Sequence, residues 1–325
     1  MKEFDVVALG EILIDFTPAG ISEAGKNLFE ENPGGAPANC AGAVSKLGGK
    51  SAFIGMTGFD SFGADCKKAL EEIGVDTRGM RKTSEQHTTL AFVSLDEHGE
   101  RQFSFCRNPG ADTQLSEKDL DEELIKSSCI FHVGSLSLTD EPCKGATLKA
   151  IKIAKESGSL ISYDPNYREK LWGGRKDAIQ LMKSIIPSAD IIKVSEEELS
   201  LLCEDVKLEE GAKYFMSLGV SLVLITLGSK GVFYASKDLN DNFITGTIGV
   251  PKVKVVDTTC AGDSFTGGFL YCITKDKSFL SFTKEKLEEH LKFANSVASI
   301  CVTRRGAIPA LPTLSEVQEF IAQHY

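Results

Sequence analysis

Residues 257–263, about four-fifths of the way along the chain, combine small side chains with a carboxylate in a pattern that could bind an anion. Their sequence, DTTCAGD, follows the β-branched run 250–256 and precedes the apolar segment 265–274. This order predicts a strand, a tight turn and the start of a helix. Backbone N–H groups in the first turn of a helix have no partner within the helix, and the small Ala261 and Gly262 would let an anionic oxygen approach them closely.

A carboxylate beside such a turn has a chemical use. Asp263 would lie where it could accept the proton of a hydroxyl group that attacks a bound phosphate, which is general base catalysis. Taken alone, the motif leaves a second interpretation open, because TT followed by GDS is also typical of a simple turn with a helix cap.

Other polar residues fall at the ends of predicted strands. The carboxyl ends of parallel strands meet at one edge of a sheet, and open α/β proteins bind ligands there. Residues that are far apart in the sequence could therefore line one cleft. They are Asp15, Asp164 with Asn166 and Arg168, Ser195 with Glu198, Thr226 with Gly228, and the run from Asp257 to Asp263.

The elements that must position these residues alternate regularly. Strand-like and helix-like segments follow one another at short intervals over residues 129–226, which is the pattern of a parallel sheet covered by helices on both faces. Residues 6–16 and 51–57 predict further buried strands, and Asp15 would emerge near the end of the first. Residues 243–256 also have the pattern of β structure, and no linker or repeat divides the chain.

Two strand-like runs do not fit this alternation. Residues 88–95 and 101–106 are separated by the turn-like segment 96–100, which predicts a β-hairpin. Strands paired by a hairpin do not belong in a series of parallel strands, so we expect a small excursion from the main sheet, such as a lid. The Gly-rich segment 32–39 predicts a loop that leads into a helix.

The composition is that of an ordinary globular chain. Of 325 residues, 42% are hydrophobic and 25% are charged, and the formal net charge is −10. The acidic balance argues against a general binder of nucleic acid, so an anionic ligand would need a local site of backbone N–H groups, a few basic side chains and a divalent cation. The lack of a signal peptide or membrane span, and nine cysteines without a C-x-x-C pair, predict a cytoplasmic protein with reduced thiols and no membrane partner.

Several candidate residues have a second, structural interpretation. Ser195 and Glu198 form the S-x-x-E pattern of a helix capping box, and Glu198 could also orient a hydrated Mg²⁺ ion. Arg107 and Arg168 could be surface ion-pair partners or anion contacts. The sequence contains no P-loop, no G-x-G-x-x-G after the first strand and no G-x-S-x-G elbow, which argues against the commoner nucleotide sites and against a serine hydrolase.

Two motifs together resemble those of the ribokinase-like, or PfkB, sugar kinases. Residues 257–263 are similar to the C-terminal signature of that family, and residues 32–39, NPGGAPAN, are similar to its N-terminal signature. The segments RNPGAD at 107–112 and DPNYR at 164–168 look like the fructokinase branch. The resemblance covers essentially the whole chain and implies one domain, 1–325, with a three-layer α/β/α fold, a mostly parallel sheet and a β lid near 13–30 and 86–108.

The resemblance also implies an activity, which is transfer of the γ-phosphoryl group of ATP to the 6-hydroxyl of fructose, with Mg²⁺ and with K⁺ as a further candidate ion. Asp263 matches the family's catalytic base, and the N–H groups of Cys260, Ala261 and Gly262 match its anion hole. The residues that match sugar-binding positions are Asp15, Gly34, Gly35, Asn39, Phe105, Arg107, Asn166 and Arg168. Those that match ATP positions are Lys193, Ser195, Thr226, Gly228, Gly231 and Asn295, with Glu198 for Mg²⁺ and Asp257 and Thr259 for a K⁺ loop.

One departure from the fructokinase pattern is Cys260, where Gly is usual. A side chain there would cost about 1–2 kcal/mol if the residue needed a positive φ, but the resemblance to relatives with Ala at this position implies that activity survives. A cysteine in this turn could also react with thiol reagents.

Two other functions stay open, and so does the assembly. One is a 2-keto-3-deoxygluconate kinase, in which Arg107 or Arg168 would bind the substrate carboxylate. The other is a catalytically silent sugar-binding regulator. A β lid has exposed strand edges, so a homodimer through the lid is a further expectation.

Overall fold

Two β-sheets organise the chain in the computed structural model, which describes residues 2–95, 101–280 and 282–325. In chain order, the strands are β1 Phe4–Leu9, β2 Leu13–Ile21, β3 Asn27–Gly34, β4 Ser51–Gly58, β5 Asp76–Thr83, β6 Leu90–Leu95, β7 Arg101–Cys106, β8 Ser128–Val133, β9 Leu160–Tyr163, β10 Ile191–Ser195, β11 Leu222–Thr226, β12 Val232–Lys237 and β13 Phe243–Ile248. The helices are α1 Ala36–Lys46, α2 Ser61–Glu72, α3 Glu122–Lys126, α4 Cys143–Glu156, α5 Glu169–Trp172, α6 Ala178–Ile185, α7 Glu196–Cys203, α8 Leu208–Ser217, α9 Ala261–Lys275, α10 Lys284–Cys301 and α11 Leu314–His324.

The larger sheet has nine strands in the order β13-β12-β11-β10-β9-β8-β1-β4-β5. The neighbours from β11 to β5 all pair in parallel, whereas β12 and β13 are antiparallel additions at one edge. Among the described residues, no helix is long and apolar enough to cross a membrane.

Helices cover both faces of this sheet. Because successive side chains of a strand point to opposite sides, neighbouring residues pack against different helix layers. Val7 packs into a cluster with α4, α6 and α8, while its neighbour Val6 packs into a second cluster with α1, α9 and α10. Ile192 and Ile191 divide in the same way. The predicted three-layer α/β/α fold with a mostly parallel sheet is therefore confirmed.

The smaller sheet has four strands in the order β3-β2-β6-β7. β6 and β7 pair antiparallel, as the hairpin pattern predicts, and β2 pairs parallel to β6. Residues 96–100, the predicted turn of the hairpin, lie outside the described residues. Phe16 of β2 stacks on Phe92 of β6 with ring centroids 4.9 Å apart, so aromatic packing helps to hold the sheet together.

Four segments connect the two sheets, and partly buried polar contacts hold them at Glu11, at Asp60 and at Arg107. Glu11, in the crossing 10–12, accepts the Ala36 N–H at 2.9 Å. Asp60 caps α2, and its Oδ2 accepts the Thr88 N–H of the crossing 84–89 at 2.8 Å. The other two crossings are Gly35 and residues 107–110.

Two predicted strands are wrong in their extent. Residues 6–16 form two strands in different sheets, and in the crossing between them Gly10 passes so close to Pro37 that a Cβ would lie 2.5 Å from its Cγ. The pattern hides this break, since burial continues across it. Asp15 is consequently the third residue of β2 in the small sheet and does not end a strand of the large sheet. Residues 249–256 do not form a strand; Val255 and Val256 are exposed, and the Val256 N–H donates to the Val302 carbonyl instead.

Candidate active site

Two adjoining cavities lie over the carboxyl ends of the parallel strands. The larger has a volume of about 470 Å³ and the smaller of about 360 Å³. Five residues line both cavities, so the two spaces meet there. They are Asn166, Arg168, Thr258, Thr259 and Asp263.

Asp263 stands at this junction in the first turn of α9. Its Oδ2 accepts the Asn39 side-chain amide of α1 at 2.8 Å, and its Oδ1 accepts the Asn166 amide at 2.9 Å. Burial raises the pKa of Asp263 to about 6, although the Asn39 hydrogen bond opposes the rise. A carboxylate with a pKa near neutrality, fixed between two amides, suits a general base.

Asn166 reaches this position through an unusual backbone conformation. It follows Asp164 and Pro165 at the end of β9 and has a φ of 45°, a left-handed value that Asn tolerates better than most residues. The Asn166 N–H donates to Asp164 Oδ1 at 3.2 Å, which holds this turn. The sequence analysis named Asn166 as a candidate, and the structure brings it to Asp263.

Lys193 and Asp164 form a buried ion pair next to the junction. Their Nζ–Oδ2 distance is 3.0 Å, and the two side chains are only 8% and 3% exposed. Burial alone would lower the pKa of Lys193, but Asp164, Glu198 and Asp263 outweigh it and raise the pKa. Gly262 leaves room for the ammonium group, since a Cβ at that position would lie 2.9 Å from Nζ. Lys193 therefore remains a cation in the wall of the larger cavity.

Ser195 and Glu198 form the predicted capping box at the start of α7. The Glu198 N–H donates to Ser195 Oγ at 3.1 Å, and the Ser195 N–H donates to Glu198 Oε2 at 2.8 Å. The other oxygen of Glu198 accepts the Tyr167 N–H at 2.7 Å. Burial raises the pKa of Glu198 although Lys193 opposes it. Because both carboxylate oxygens are already acceptors, the arrangement fits a metal ion held through water better than one bound directly.

The smaller cavity is lined by several of the predicted sugar-binding residues, which come from both sheets. Asp15 is contributed by β2, Phe105 by β7, and Gly35 and Asn39 by the start of α1. Burial raises the pKa of Asp15 to about 7, with Arg168 opposing the rise and Asp257 and Asp263 adding to it. Asp15 of the small sheet and Asp263 of the three-layer core thus both line this cavity.

The glycine pair beside this cavity is required by the backbone. Gly35 has a φ of 127°, and a Cβ there would lie 2.4 Å from the Glu11 carbonyl oxygen. A Cβ at Gly34 would come within 3.1 Å of Asp15 Oδ2. Side chains at either position would push apart the residues that shape the smaller cavity.

Comparison with known proteins identifies the family. A model described as pfkB family carbohydrate kinase matches residues 3–314. The chain belongs to the pfkB family of carbohydrate kinases. It is 48% identical over 321 residues to fructokinase-1 of Zea mays, covering 97% of each chain. The resemblance based on two motifs is therefore confirmed.

Two solved structures are similar to the whole chain. One is a fructokinase with bound ATP from Xylella fastidiosa, with a TM-score of 0.91 and 32% identity over 99% of each chain. The other is a fructokinase from Vibrio cholerae O395 in a form with fructose, ADP and calcium ion, with a TM-score of 0.87 and 33% identity over 97% of this chain and 98% of that one.

Cys260, the departure from the pfkB fructokinase pattern, is accommodated without backbone strain. Its φ is −110°, so the penalty that a left-handed conformation would carry does not arise. The side chain packs in an apolar cluster with Ala43, Cys301 and Leu311. A hydrogen bond with Cys301, together with burial, holds the pKa of the Cys260 thiol well above its usual range, which argues against the thiol reactivity that the sequence left open.

Replacing Cys260 by Gly is therefore expected to change kcat by less than about threefold, because the side chain points into the apolar cluster and the backbone does not need glycine. The variant should unfold at a lower temperature, since it leaves a small cavity and a flexible residue before α9. Steady-state kinetics and thermal melting of the two proteins measure both effects. A gain in kcat of tenfold or more would mean that the side chain distorts the turn.

The structure does not bring Arg107 to the wall of the smaller cavity, where the family resemblance placed it. Its Nη2 lies 2.7 Å from Asp112 Oδ2, and the same guanidinium donates to Thr139 Oγ1 and to the Leu136 carbonyl. Asp112 also accepts the hydroxyl of Thr89 at 2.6 Å, so Arg107 anchors two of the crossings between the sheets. Arg168, in contrast, is exposed and lines both cavities.

Of the predicted nucleotide residues, Lys193, Ser195 and Thr226 line the larger cavity, and three others do not. Asn295 donates to the carbonyls of Ile248 and Gly249 at 3.2 and 3.1 Å. Gly231 has a φ of 103°, and a Cβ there would overlap the Ile248 carbonyl. Gly228, with a φ of 56°, opens the turn after β11. In this structure Asn295 and Gly231 fix the chain that leaves β13.

The predicted cation loop is tied to the C-terminal part of the chain. Asp257 Oδ1 accepts the Thr259 N–H at 2.8 Å, and Oδ2 accepts the Gly306 N–H at 3.3 Å. In the neighbouring turn that leads into α9, where the resemblance implies an anion hole, the Ala261 N–H donates a long hydrogen bond of 3.3 Å to the Thr258 carbonyl.

The sequence analysis missed several residues that line the cavities. Tyr167 and Leu201 line the larger cavity, and Leu136 lines the smaller one. Glu11 also lines the smaller cavity, and its signal was present in the sequence as an acid within a buried apolar run. The others carry no such signal, because an apolar or hydroxyl residue near a strand end is ordinary.

Proposed function

We propose that this protein is an ATP-dependent fructokinase that phosphorylates the 6-hydroxyl of D-fructose. The observation that carries the proposal is the junction of two cavities at Asp263, a buried carboxylate held by two amides. A phosphoryl donor in the larger cavity and an acceptor in the smaller one would meet at this group. The relatives that are named fructokinases support the choice of sugar.

The reaction needs one proton transfer and one phosphoryl transfer. Asp263 takes the proton of the 6-hydroxyl as that oxygen forms its bond to the γ-phosphorus, and the bond from the γ-phosphorus to the bridging oxygen of ADP breaks. Asp263 then returns the proton to solvent. The first turn of α9 and the ammonium of Lys193 face the charge on the transferred group, which is the main catalytic requirement of phosphoryl transfer.

Mg²⁺ would arrive with ATP, and Glu198 is the residue suited to it. Its oxygens already accept backbone N–H groups, so it would hold the ion through water. When bound, the ion would offset negative charge on the phosphates. Thr226 and Ser195 line the remaining wall of the cavity and would contact the nucleotide, whereas Gly228, Gly231 and Asn295 would act on it only by shaping the chain around it. A K⁺ loop at Asp257 and Thr259 stays a prediction.

The sugar would be bound from both sides of the smaller cavity. Asp15 and Phe105 belong to the four-stranded sheet, and Asn39 and Asp263 belong to the three-layer core. Gly34 and Gly35 keep the space open. In this proposal the four-stranded sheet is the lid, and its approach to the core excludes water, which otherwise competes as phosphoryl acceptor.

The exposed surface of the lid suggests how two copies would associate. Ile21, Leu28 and Phe29 are exposed on β2 and β3, and β3 is an edge strand of its sheet. Apolar side chains beside an open edge are suited to pairing with a second copy. We keep a homodimer through this surface as a proposal.

The decisive experiment measures ADP release from Mg-ATP with D-fructose, 2-keto-3-deoxygluconate, ribose and glucose. We expect kcat/KM for fructose to exceed the others by about tenfold or more, the value of one well-placed hydrogen bond. The fructose assay is repeated with K⁺ replaced by Na⁺ to test the cation loop.

The variant Arg168→Met distinguishes a fructokinase from a 2-keto-3-deoxygluconate kinase, because a keto acid needs a cation for its carboxylate. If wild type prefers 2-keto-3-deoxygluconate and the variant loses that preference, the mechanism stands and the sugar is wrong. Sugar binding in calorimetry without turnover on any acceptor would instead indicate a regulator.

A further inference from the structure

Glu11 has a position that the proposed mechanism does not yet use. It lies in the three-residue crossing between β1 of the large sheet and β2 of the small one, and it lines the smaller cavity. Only 4% of the residue is exposed. A buried acid in a connection between sheets is unusual unless its oxygens are hydrogen-bonded.

The two oxygens of this carboxyl group differ. Oε1 accepts the N–H of Ala36, the first residue of α1, at 2.9 Å, which places negative charge at a helix N-terminus. Oε2 is buried and has no hydrogen-bond partner among the described residues. The structural task of Glu11 is thus met by one oxygen, and the other is left over.

The nearest cation does not satisfy this second oxygen. Arg107 acts on Glu11 electrostatically, but its guanidinium N–H groups are directed to Asp112, Thr139 and Leu136. Asp112 on the same side is an acceptor, so it offers no proton in its charged form. Burial raises the pKa of Glu11 to about 7, so above that pH the carboxylate accepts a hydrogen bond from a hydroxyl group, which an amide NH₂ cannot do.

The charges around Glu11 also separate it from the other acids of the cavity. The charges of Arg168, Asp257 and Asp263 shift the pKa of Asp15, whereas those of Asp112 and Arg107 shift the pKa of Glu11. Glu11 lines only the smaller cavity, whereas the proposed base Asp263 stands at the junction with the larger cavity, so Glu11 lies on the side of the space away from that junction. A sugar with its 6-hydroxyl at Asp263 would present other hydroxyls to that side.

From these observations we infer that Glu11 is a sugar-binding residue, whose second carboxyl oxygen hydrogen-bonds to a hydroxyl of the acceptor remote from the reacting one. The inference rests on the proposed function. It gives the crossing two tasks, since Oε1 of Glu11 holds the start of α1 and Oε2 selects the sugar.

Glu11→Gln tests this directly, because the amide oxygen can still accept the Ala36 N–H while an NH₂ group replaces Oε2. We expect the KM for fructose to rise about tenfold to a hundredfold, as for loss of a hydrogen bond to a charged group. The KM for ATP should stay within about twofold. The same test uses fructose analogues that each lack one hydroxyl. The analogue that lacks the hydroxyl bound by Glu11 should bind wild type more weakly than fructose does. The variant should bind that analogue and fructose equally well.

Glu316→Gln is the control, since Glu316 also accepts a backbone N–H at a helix N-terminus, that of Thr313 at 2.7 Å, and lines neither cavity. An unchanged fructose KM in Glu11→Gln, with a lowered melting temperature like that of the control, would assign Glu11 to structure alone. An equal loss on every analogue would do the same. If the wild-type protein does not phosphorylate fructose, the proposed function itself is wrong. This result is distinguishable from failure of the inference about Glu11, which concerns only the variant. If Glu11→Gln does not fold, Glu11→Asp, which keeps the charge on a shorter side chain, is measured with the same outcomes.

Discussion

Replacement of Asp263 by alanine is expected to lower kcat on fructose by about 10² to 10⁴, the usual contribution of a positioned general base. The amides of Asn39 and Asn166 hold this carboxylate at the junction of the cavities, and no other acid lines both cavities among the described residues. The wild-type enzyme should also lose activity in acid. Because burial raises the pKa of Asp263 to about 6, the unprotonated base disappears as the pH falls through that value, so kcat at saturating fructose should decline below about pH 6.

Initial rates of ADP formation between pH 5 and 8 measure both effects. Glu196→Ala is the control, because it removes the same charge from an exposed position that lines neither cavity, and its kcat should match wild type. Circular dichroism checks that Asp263→Ala is folded. A folded Asp263→Ala protein with more than a tenth of wild-type kcat would contradict the assignment of the base.

The buried pair of Lys193 and Asp164 carries the second large prediction. Lys193→Met should lower the free energy of unfolding by about 3–5 kcal/mol, because Asp164 would stay buried without its cation. The same change removes the positive charge beside Gly262, so the KM for ATP should rise by at least about tenfold. Urea unfolding and steady-state kinetics measure these two losses separately.

The double variant Lys193→Met/Asp164→Asn distinguishes the two roles. Without a lone buried charge, the double variant should regain much of the lost stability, but its KM for ATP should stay high. Recovery of both quantities would mean that Lys193 serves stability only. Wild-type stability in Lys193→Met would show that Asp164 finds another partner.

Much of the fold could be predicted from the sequence because the strands of the large sheet are short, β-branched and separated by amphipathic helices. The break at Gly10 could not, since Ile12 of the crossing and Leu13 and Ile14 of β2 continue the buried pattern. The strand β5 has a polar sequence, DTRGMRKT, with several of its residues outside the buried core, and it carries almost no strand signal.

The candidate site divides in the same way. Asp263 and Asn39 were predicted from the two signatures and Asn166 from the segment DPNYR, and their proximity follows from the topology. Arg107 was assigned to the sugar because its sequence context fits, but its direction is decided by Asp112, a residue five positions later. Asn295 likewise contacts the chain after β13. Whether a polar side chain faces a cavity or a neighbouring backbone depends on packing that no local pattern contains.

The four crossings between the sheets have a mechanical consequence. All of them join the small sheet to the core, and Glu11, Gly35 and Phe105, which lie in or next to three of them, line the smaller cavity. If the small sheet rotates against the core, the axis of that rotation would therefore pass beside the smaller cavity. Asp15, near this axis, would travel little, while the far ends of β2 and β3, around Ile21 and Leu28, would sweep the longest arc. A ligand in the smaller cavity would lie close to the rotation axis. A small displacement of the residues that contact it would accompany a large displacement of the far ends of β2 and β3.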